Sequence, residues 1–475
     1  MRVITMFSLF AICFCFSCKH DVSDNGFIGV RVCDENAYYF QYKGEPVLLL
    51  GASDYHNIFQ RDNIEQELDL LKSHGGNYVR NTMASREISD THRDLWPYHI
   101  ASTTPDSLIN IYDLDQWNEQ YWIKFERMLE ETARRDMIVE IEIWERHDCY
   151  RTRDQAGWLR HPFNPDNNIN FSEEESGMPA IEWPNDSNTP GHPFFTTVPA
   201  LANNEFILKY QQTFIDKILS YTFNYNHVMY NMNNETVEHY LFGEYWAEYI
   251  LKKTAEQGIH IEITDMPDAH NISDETITRV MESDLYTFVD ISQNNFQKGD
   301  LHWERIQHVR ESLQNNPKPI TNIKIYGADW SPWDVDFWGT TQDGLERFWR
   351  NVLGGCASAR FHRRPWGIGN TQQAMTNVLS MRMLTDSMDF FSHQPMQNLL
   401  QNREENEAYC MAIHGKEYAV YFTRQGAVYL NAEKGKYKAR WLDINNSEWG
   451  DEFLIVLPVN IENQHSEHMV LFIQK

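Results

Sequence analysis

Asn234 and Glu235 stand just past a short apolar run, His227-Val228-Met229-Tyr230, at the point where the chain turns polar. A carboxylic acid at the end of a strand can pass a proton to a leaving oxygen. Similar polar tips follow other apolar segments along the chain. They carry Asp54 and His56, Arg80 and Asn81, Glu145 and Asp148, Asp265 and Asp268, Gln293, Lys324 with Tyr326 and Asp329, and Arg360 with His362 and Arg364. Carboxylates, amides and rings together suit cleavage of a glycosidic bond. One carboxylic acid protonates the leaving oxygen, and a second, ~5 Å away for retention or ~6.5–9.5 Å for inversion, acts as nucleophile or base. Glu235 is the expected general acid, and Asp265, Asp329 and Glu145 are the candidates for the second carboxylate. Asp54, His56, Arg80, Asn81, Trp144, Asn234, Gln293, Lys324, Tyr326 and His362 are expected to contact substrate. His56, His147 and His362 sit on separate tips, and no Gly-rich phosphate loop is present, so neither a metal nor a cofactor is expected.

The elements that position these tips alternate. Strands are expected over 46–51, 77–81, 137–144, 227–230, 259–264, 286–291, 319–326 and 356–361, with helical spacing after each. Eight strand–helix units predict a (β/α)8 barrel of the TIM type, whose strands deliver their carboxyl ends to one site. A loop of some fifty residues after Asp148, rich in Pro, Asn and aromatics, is too long to be a plain connection and is expected to fold over the site. From residue 394 onward the pattern becomes short alternating segments separated by Gly, Asn and Lys turns, which predicts a small antiparallel β-sandwich. The expected division is therefore a leader over 1–17, a linker over 18–26, the barrel over 27–393 and the sandwich over 394–475.

The chain has 475 residues and a formal charge of -27, which disfavours nucleic acid and anionic membrane as partners. Its 15 Trp, 23 Tyr and 26 Phe must mostly lie in core, although rings also stack on sugar faces. Residues 3–16 form an apolar run too short to span a bilayer, and they read as a signal peptide. Ser17-Cys18 after that run resembles a bacterial lipoprotein box, so Cys18 is the expected lipidation site. The protein is then exported and held at the bacterial outer membrane, facing the cell surface or the periplasm, through that anchor alone. Cys33, Cys149, Cys356 and Cys410 are scattered and are expected to be buried thiols.

Asn234-Glu235 on the fourth expected strand resembles the Asn-Glu acid/base pair of clan A glycoside hydrolases, and Arg80 on the second resembles their arginine. The layout of leader, "GEPVLLLGASDYHN" entry, barrel and C-terminal sandwich is similar to glycoside hydrolases that Bacteroidetes-type bacteria display for polysaccharide use. The resemblance implies a carbohydrate substrate, a general acid at Glu235 and a contact from Asn234 to the sugar's 2-hydroxyl. It also implies a nucleophilic Glu at the end of the seventh strand, where this sequence has Lys324. Two rival readings follow from that departure: a glycan-binding surface lipoprotein on a barrel that has lost its chemistry, and a polysaccharide lyase with Lys324 or Tyr326 as base.

Overall fold

The structure, a computed structural model, describes residues 28–85, 93–103, 110–150, 157–181, 183, 189–272, 275–332 and 334–475. The expected leader, linker and lipidated Cys18 lie outside the described residues.

Among the described residues, eight parallel strands run in sequence order with helices between them. They are β1 (Leu49–Ala52), β2 (Tyr78–Thr82), β3 (Ile138–Glu145), β4 (Val228–Asn234), β5 (Glu262–Thr264), β6 (Val289–Asp290), β7 (Ile320–Thr321) and β8 (Ser358–Phe361). The helices are α1 (Ile64–Ser73), α2 (Glu119–Arg134), α3 (Glu205–Thr222), α4 (Leu241–Gln257), α5 (Glu275–Glu282), α6 (Gly299–Ser312), α7 (Thr341–Leu353) and α8 (Gln372–Thr385). Six strands form one parallel sheet in the order β5-β4-β3-β2-β1-β8, and β6 pairs with β7. Backbone bonds bridge the two pieces on both sides. Thr287 N–H donates to Ile263 O at 2.9 Å, Ala357 N–H to Ile320 O at 2.7 Å, and Ile325 N–H to Arg360 O at 3.1 Å. The result is an α/β barrel.

Local signals explain the helices. In α2, Tyr121, Trp122, Phe125, Met128 and Leu129 recur at helical spacing and are buried, and Asn118 caps the start by accepting from Gln120 N–H. Thr340 and Asp343 form a capping box on α7, and α4 ends at Gly258, whose φ of +67° suits glycine. Between β2 and α2, where no strand was expected, Tyr98–Thr103 pairs antiparallel with Asn110–Trp117. The exposed face of this pair masks the alternation that marks a strand.

Arg31–Val32, Phe40–Tyr42 and Glu45–Val47 form a three-stranded antiparallel sheet against the amino ends of the barrel strands. Val30 N–H donates to Asn226 O, just before β4, and Val32 N–H to the Glu262 carboxylate on β5. The segment after Asp148 is packed where described: Trp158 is fully buried, and Phe163, Phe194 and Phe195 are buried with it. Glu238, three residues past Glu235, tethers this segment by accepting from Tyr150 Oη and from Gly191 N–H at 2.8 Å.

The C-terminal region is antiparallel, as expected. Its main strands are β9 (Ala408–Ile413), β10 (Glu417–Phe422), β11 (Gly426–Asp443), β12 (Phe453–Asn463) and β13 (Met469–Gln474), hydrogen-bonded into one sheet. In β9, β10 and β13 both faces are buried and alternate cleanly. Tyr409, Met411, Tyr421, Val470 and Phe472 join the barrel's core. Ala408, Cys410, Val420, Leu471 and Ile473 join a second core with Leu430, Tyr437 and Leu457, which sit where the long strand β11 and its partner β12 bend over. Cys33, Cys149, Cys356 and Cys410 are buried free thiols.

Candidate functional site

The barrel interior is polar. Glu140 and Glu142 of β3, Arg80 of β2, Asn231 of β4 and Arg360 of β8 are all fully buried, and Lys324 just past β7 is 1% exposed. Such groups persist in a core only when paired. Arg80 donates to the Glu142 carboxylate, and Arg360 donates to Ser53 Oγ and to Ile323 O. Glu140 accepts from Tyr78 Oη and from Asn231 Nδ2. Burial, reinforced by the charge of Asp290, pushes the Glu140 carboxyl up to about 8, so this acid is largely neutral at pH 7.

Glu235 sits above this floor, one residue past β4, with φ of +50°. That left-handed conformation is unusual for a side-chain-bearing residue and occurs preferentially at functional sites. Four side chains from three other tips converge on its carboxylate. Tyr326 Oη donates to Oε1 at 2.7 Å, Gln293 Nε2 donates to Oε1 at 3.0 Å, Lys324 Nζ lies 3.0 Å from Oε1, and His147 Nε2 lies 3.5 Å from Oε2. Burial would raise this carboxyl. The charge of Lys324, then the contact with His147 and the charge of Arg146, outweigh burial and hold it well below the usual carboxylate range. The same surroundings keep the Tyr326 phenol protonated, because burial and then the Glu235 charge raise it well above its ordinary value.

Asn234 is the organiser beside Glu235. Its Oδ1 accepts from Arg80 Nη2 at 3.2 Å and from Lys324 Nζ, and its Nδ2 donates to Glu145. Arg80 also donates to His56 Nδ1 at 2.8 Å. Arginine has no acceptor, so that ring nitrogen is unprotonated. The His362 ring packs 5.1 Å from His56 and 4.9 Å from Tyr326. Burial, with Arg80 and Arg360 nearby, holds His362 well below its ordinary value and therefore neutral.

The fold thus brings together Glu235, Asn234, Arg80, His56, Gln293, Lys324, Tyr326, His362 and Glu145. Five other expected site residues lie elsewhere. Asn81 alternates away from Arg80 and accepts from Phe59 N–H, on the helix side of β2. Trp144 is turned outward among Phe194, Phe214, Phe242 and Trp246, so it is core and not a sugar platform at Glu235. Asp265 accepts from Asn233 Nδ2 at 2.8 Å and abuts Gly243 of α4, on the opposite face of β4 from Asn234. Asp329 accepts from Thr341 N–H at 3.1 Å, at the start of α7. Asp54 is on the rim, paired with Arg364. Of the three candidate second carboxylates, Glu145 alone shares a hydrogen-bonding partner, Asn234, with the groups around Glu235. His147 was legible only as one of several polar residues on the third tip. Its reach to Glu235 depends on the single turn Arg146–Asp148, anchored where Glu145 accepts from His147 N–H.

No family model matches the chain, and no curated protein matches its sequence. Solved structures do match. One, described as a glycoside hydrolase, has a TM-score of 0.60 at 10% identity, covering 94% of this chain and 97% of its own. A second, a glycoside hydrolase family 5 protein from Bacteroides vulgatus, has a TM-score of 0.60 at 11% identity, covering 94% of this chain and 92% of its own. What the chain shares with them is the fold. It extends through the barrel and into the C-terminal sheet.

Proposed function

We propose that the protein is a glycoside hydrolase acting on a complex glycan, with the Glu235 carboxylate as its essential group. The carrying observation is the convergence of Tyr326, Gln293, Lys324 and His147 on one carboxylate at the carboxyl end of β4. Barrel enzymes keep their chemistry at that end, and the fold of the two matched glycoside hydrolases agrees with it. The general-acid role expected from sequence needs a proton on Glu235. Lys324 favours the charged form instead, so we assign Glu235 as nucleophile or base. Glu145 is the second carboxyl group, joined to it through Asn234. The remaining expectations stand with this proposal: a (β/α)8 domain over 27–393, a sandwich-like C-terminal domain over 394–475, and export with a lipid anchor at Cys18.

Lys324 in place of a seventh-strand carboxylate also favours a second reading, a barrel that binds glycan without cleaving it. A lyase is disfavoured, because Tyr326 holds its proton and Lys324 is paired with a carboxylate, so neither is a free base. One screen separates the three. The protein is incubated with a panel of polysaccharides, and new reducing ends and ultraviolet absorbance are followed. A hydrolase yields reducing ends without absorbance, a lyase yields absorbing unsaturated ends, and a binder yields neither.

A further inference from the structure

The barrel mouth carries a second shaped surface, displaced from Glu235 toward the tips of β1 and β8. A groove of 520 Å³ is lined there by Asp54, Tyr55, Trp330, Arg364, Pro365 and Thr371. Trp330 is 46% exposed, more than any other tryptophan among the described residues. The groove's polar wall is held in place. Asp54 accepts from Arg364 Nε at 3.1 Å and from Asn370 N–H at 2.9 Å. Gly369, at φ of +51°, makes room for it, since a Cβ there would collide with the Asp54 carboxylate. Tyr55 is braced by the Arg61 guanidinium, 3.9 Å from its ring centre.

Flat aromatic surface beside a carboxylate–guanidinium pair matches the two aspects of a pyranose. The C–H face packs on a ring, and the hydroxyls exchange hydrogen bonds with charged groups. The pair carries no net charge, which favours a neutral sugar over an acidic one. Packed rings lie between the tips that line the groove and Glu235. Tyr326, bonded to Glu235, packs on His362, and His362 packs on His56. His362 precedes Arg364 by two residues, and His56 follows Asp54 by two.

We propose that this groove binds a neutral pyranose unit of an extended glycan whose scissile bond lies at Glu235, with Trp330 as stacking platform and Asp54 and Arg364 as hydroxyl partners. The inference rests on the glycosidase reading. It adds that the substrate is an oligosaccharide or polysaccharide of neutral sugars, entering over β1 and β8, and not the glycoside of a single sugar.

The test measures binding without turnover. Glu235→Gln protein is titrated calorimetrically with neutral hexaoses of glucan, mannan, xylan and galactan type, with the matching monosaccharides, and with a hexagalacturonate. Trp330→Ala and Trp330→Phe are then examined in the same background. The expected result is that a neutral hexaose binds and its monosaccharide does not. Trp330→Ala should weaken the hexaose by about tenfold, ~1.4 kcal/mol, and Trp330→Phe should recover most of the loss. Equal hexaose affinity with and without Trp330, binding by no neutral hexaose, or preference for the galacturonate would overturn the proposal. A hexaose that binds through Trp330 but is never cleaved by the wild-type protein overturns the glycosidase reading and leaves the groove assigned.

Discussion

Lys324 is the largest of the influences that keep Glu235 charged, and that dependence can be measured. Lys324→Met removes the largest influence that opposes burial, so the Glu235 carboxyl must rise. If Glu235 acts in its charged form, activity falls as the carboxyl protonates. The acid limb of the kcat/KM profile then moves to higher pH in Lys324→Met. An unmoved acid limb, with the alkaline limb shifting instead, would return Glu235 to the acid role. Glu235, Asn234, Arg80, Gln293 and Tyr326 were all legible in the sequence, because each belongs to a polar tip at the end of an apolar segment. The role of Lys324 was not. Its meaning lies in a 3.0 Å contact between the fourth and seventh tips, residues 235 and 324, which no local pattern encodes.

At the scale of elements, β4 presents adjacent asparagines to opposite sides. Asn234 turns into the mouth toward Arg80 and Glu145, and Asn233 turns out toward Asp265 and α4. Strand alternation dictates this, but only once the strand is known to run to Asn234, several residues beyond the apolar run that signals it. That is why Asp265 read as a possible partner of Glu235 and is instead a strand–helix contact. Gly243 allows the contact, since a Cβ at that position would strike the Asp265 carboxylate and the Asn233 amide. Gly243→Ala is therefore expected to destabilise the protein by about 1–3 kcal/mol, read as a lowered Tm. An unchanged Tm would show that α4 can move away freely. Asp329 misled for a related reason: an acid at a strand tip can serve a neighbouring helix as well as a site, and from twelve residues upstream it accepts from Thr341 N–H, next to the Thr340 cap of α7.

Across the whole molecule, the strand–helix alternation was legible because short segments with buried apolar residues alternate with segments of 3.6-residue period. The hairpin of 98–117 was not, and neither was the way the C-terminal sheet shares the barrel's core. Tyr409, Met411, Tyr421, Leu442, Val470 and Phe472 are buried against the barrel, and Trp349 of α7 stacks on Tyr421 at 5.4 Å. Six such side chains contribute roughly 10 kcal/mol, as much as the net stability of a typical domain. A chain ending at residue 393 is expected to be insoluble or to lack near-ultraviolet circular dichroism. A soluble, cooperatively melting 28–393 fragment would show the two regions to be independent. A charged carboxylate at the fourth strand tip is proposed to cleave a glycosidic bond. The most direct test is reducing-end release by wild-type and Glu235→Gln protein on a polysaccharide the wild type degrades, with circular dichroism confirming equal folding. The variant is expected to be slower by about 10³-fold or more, and a Glu235→Gln protein within a few-fold of wild type would show that the carboxylate is dispensable.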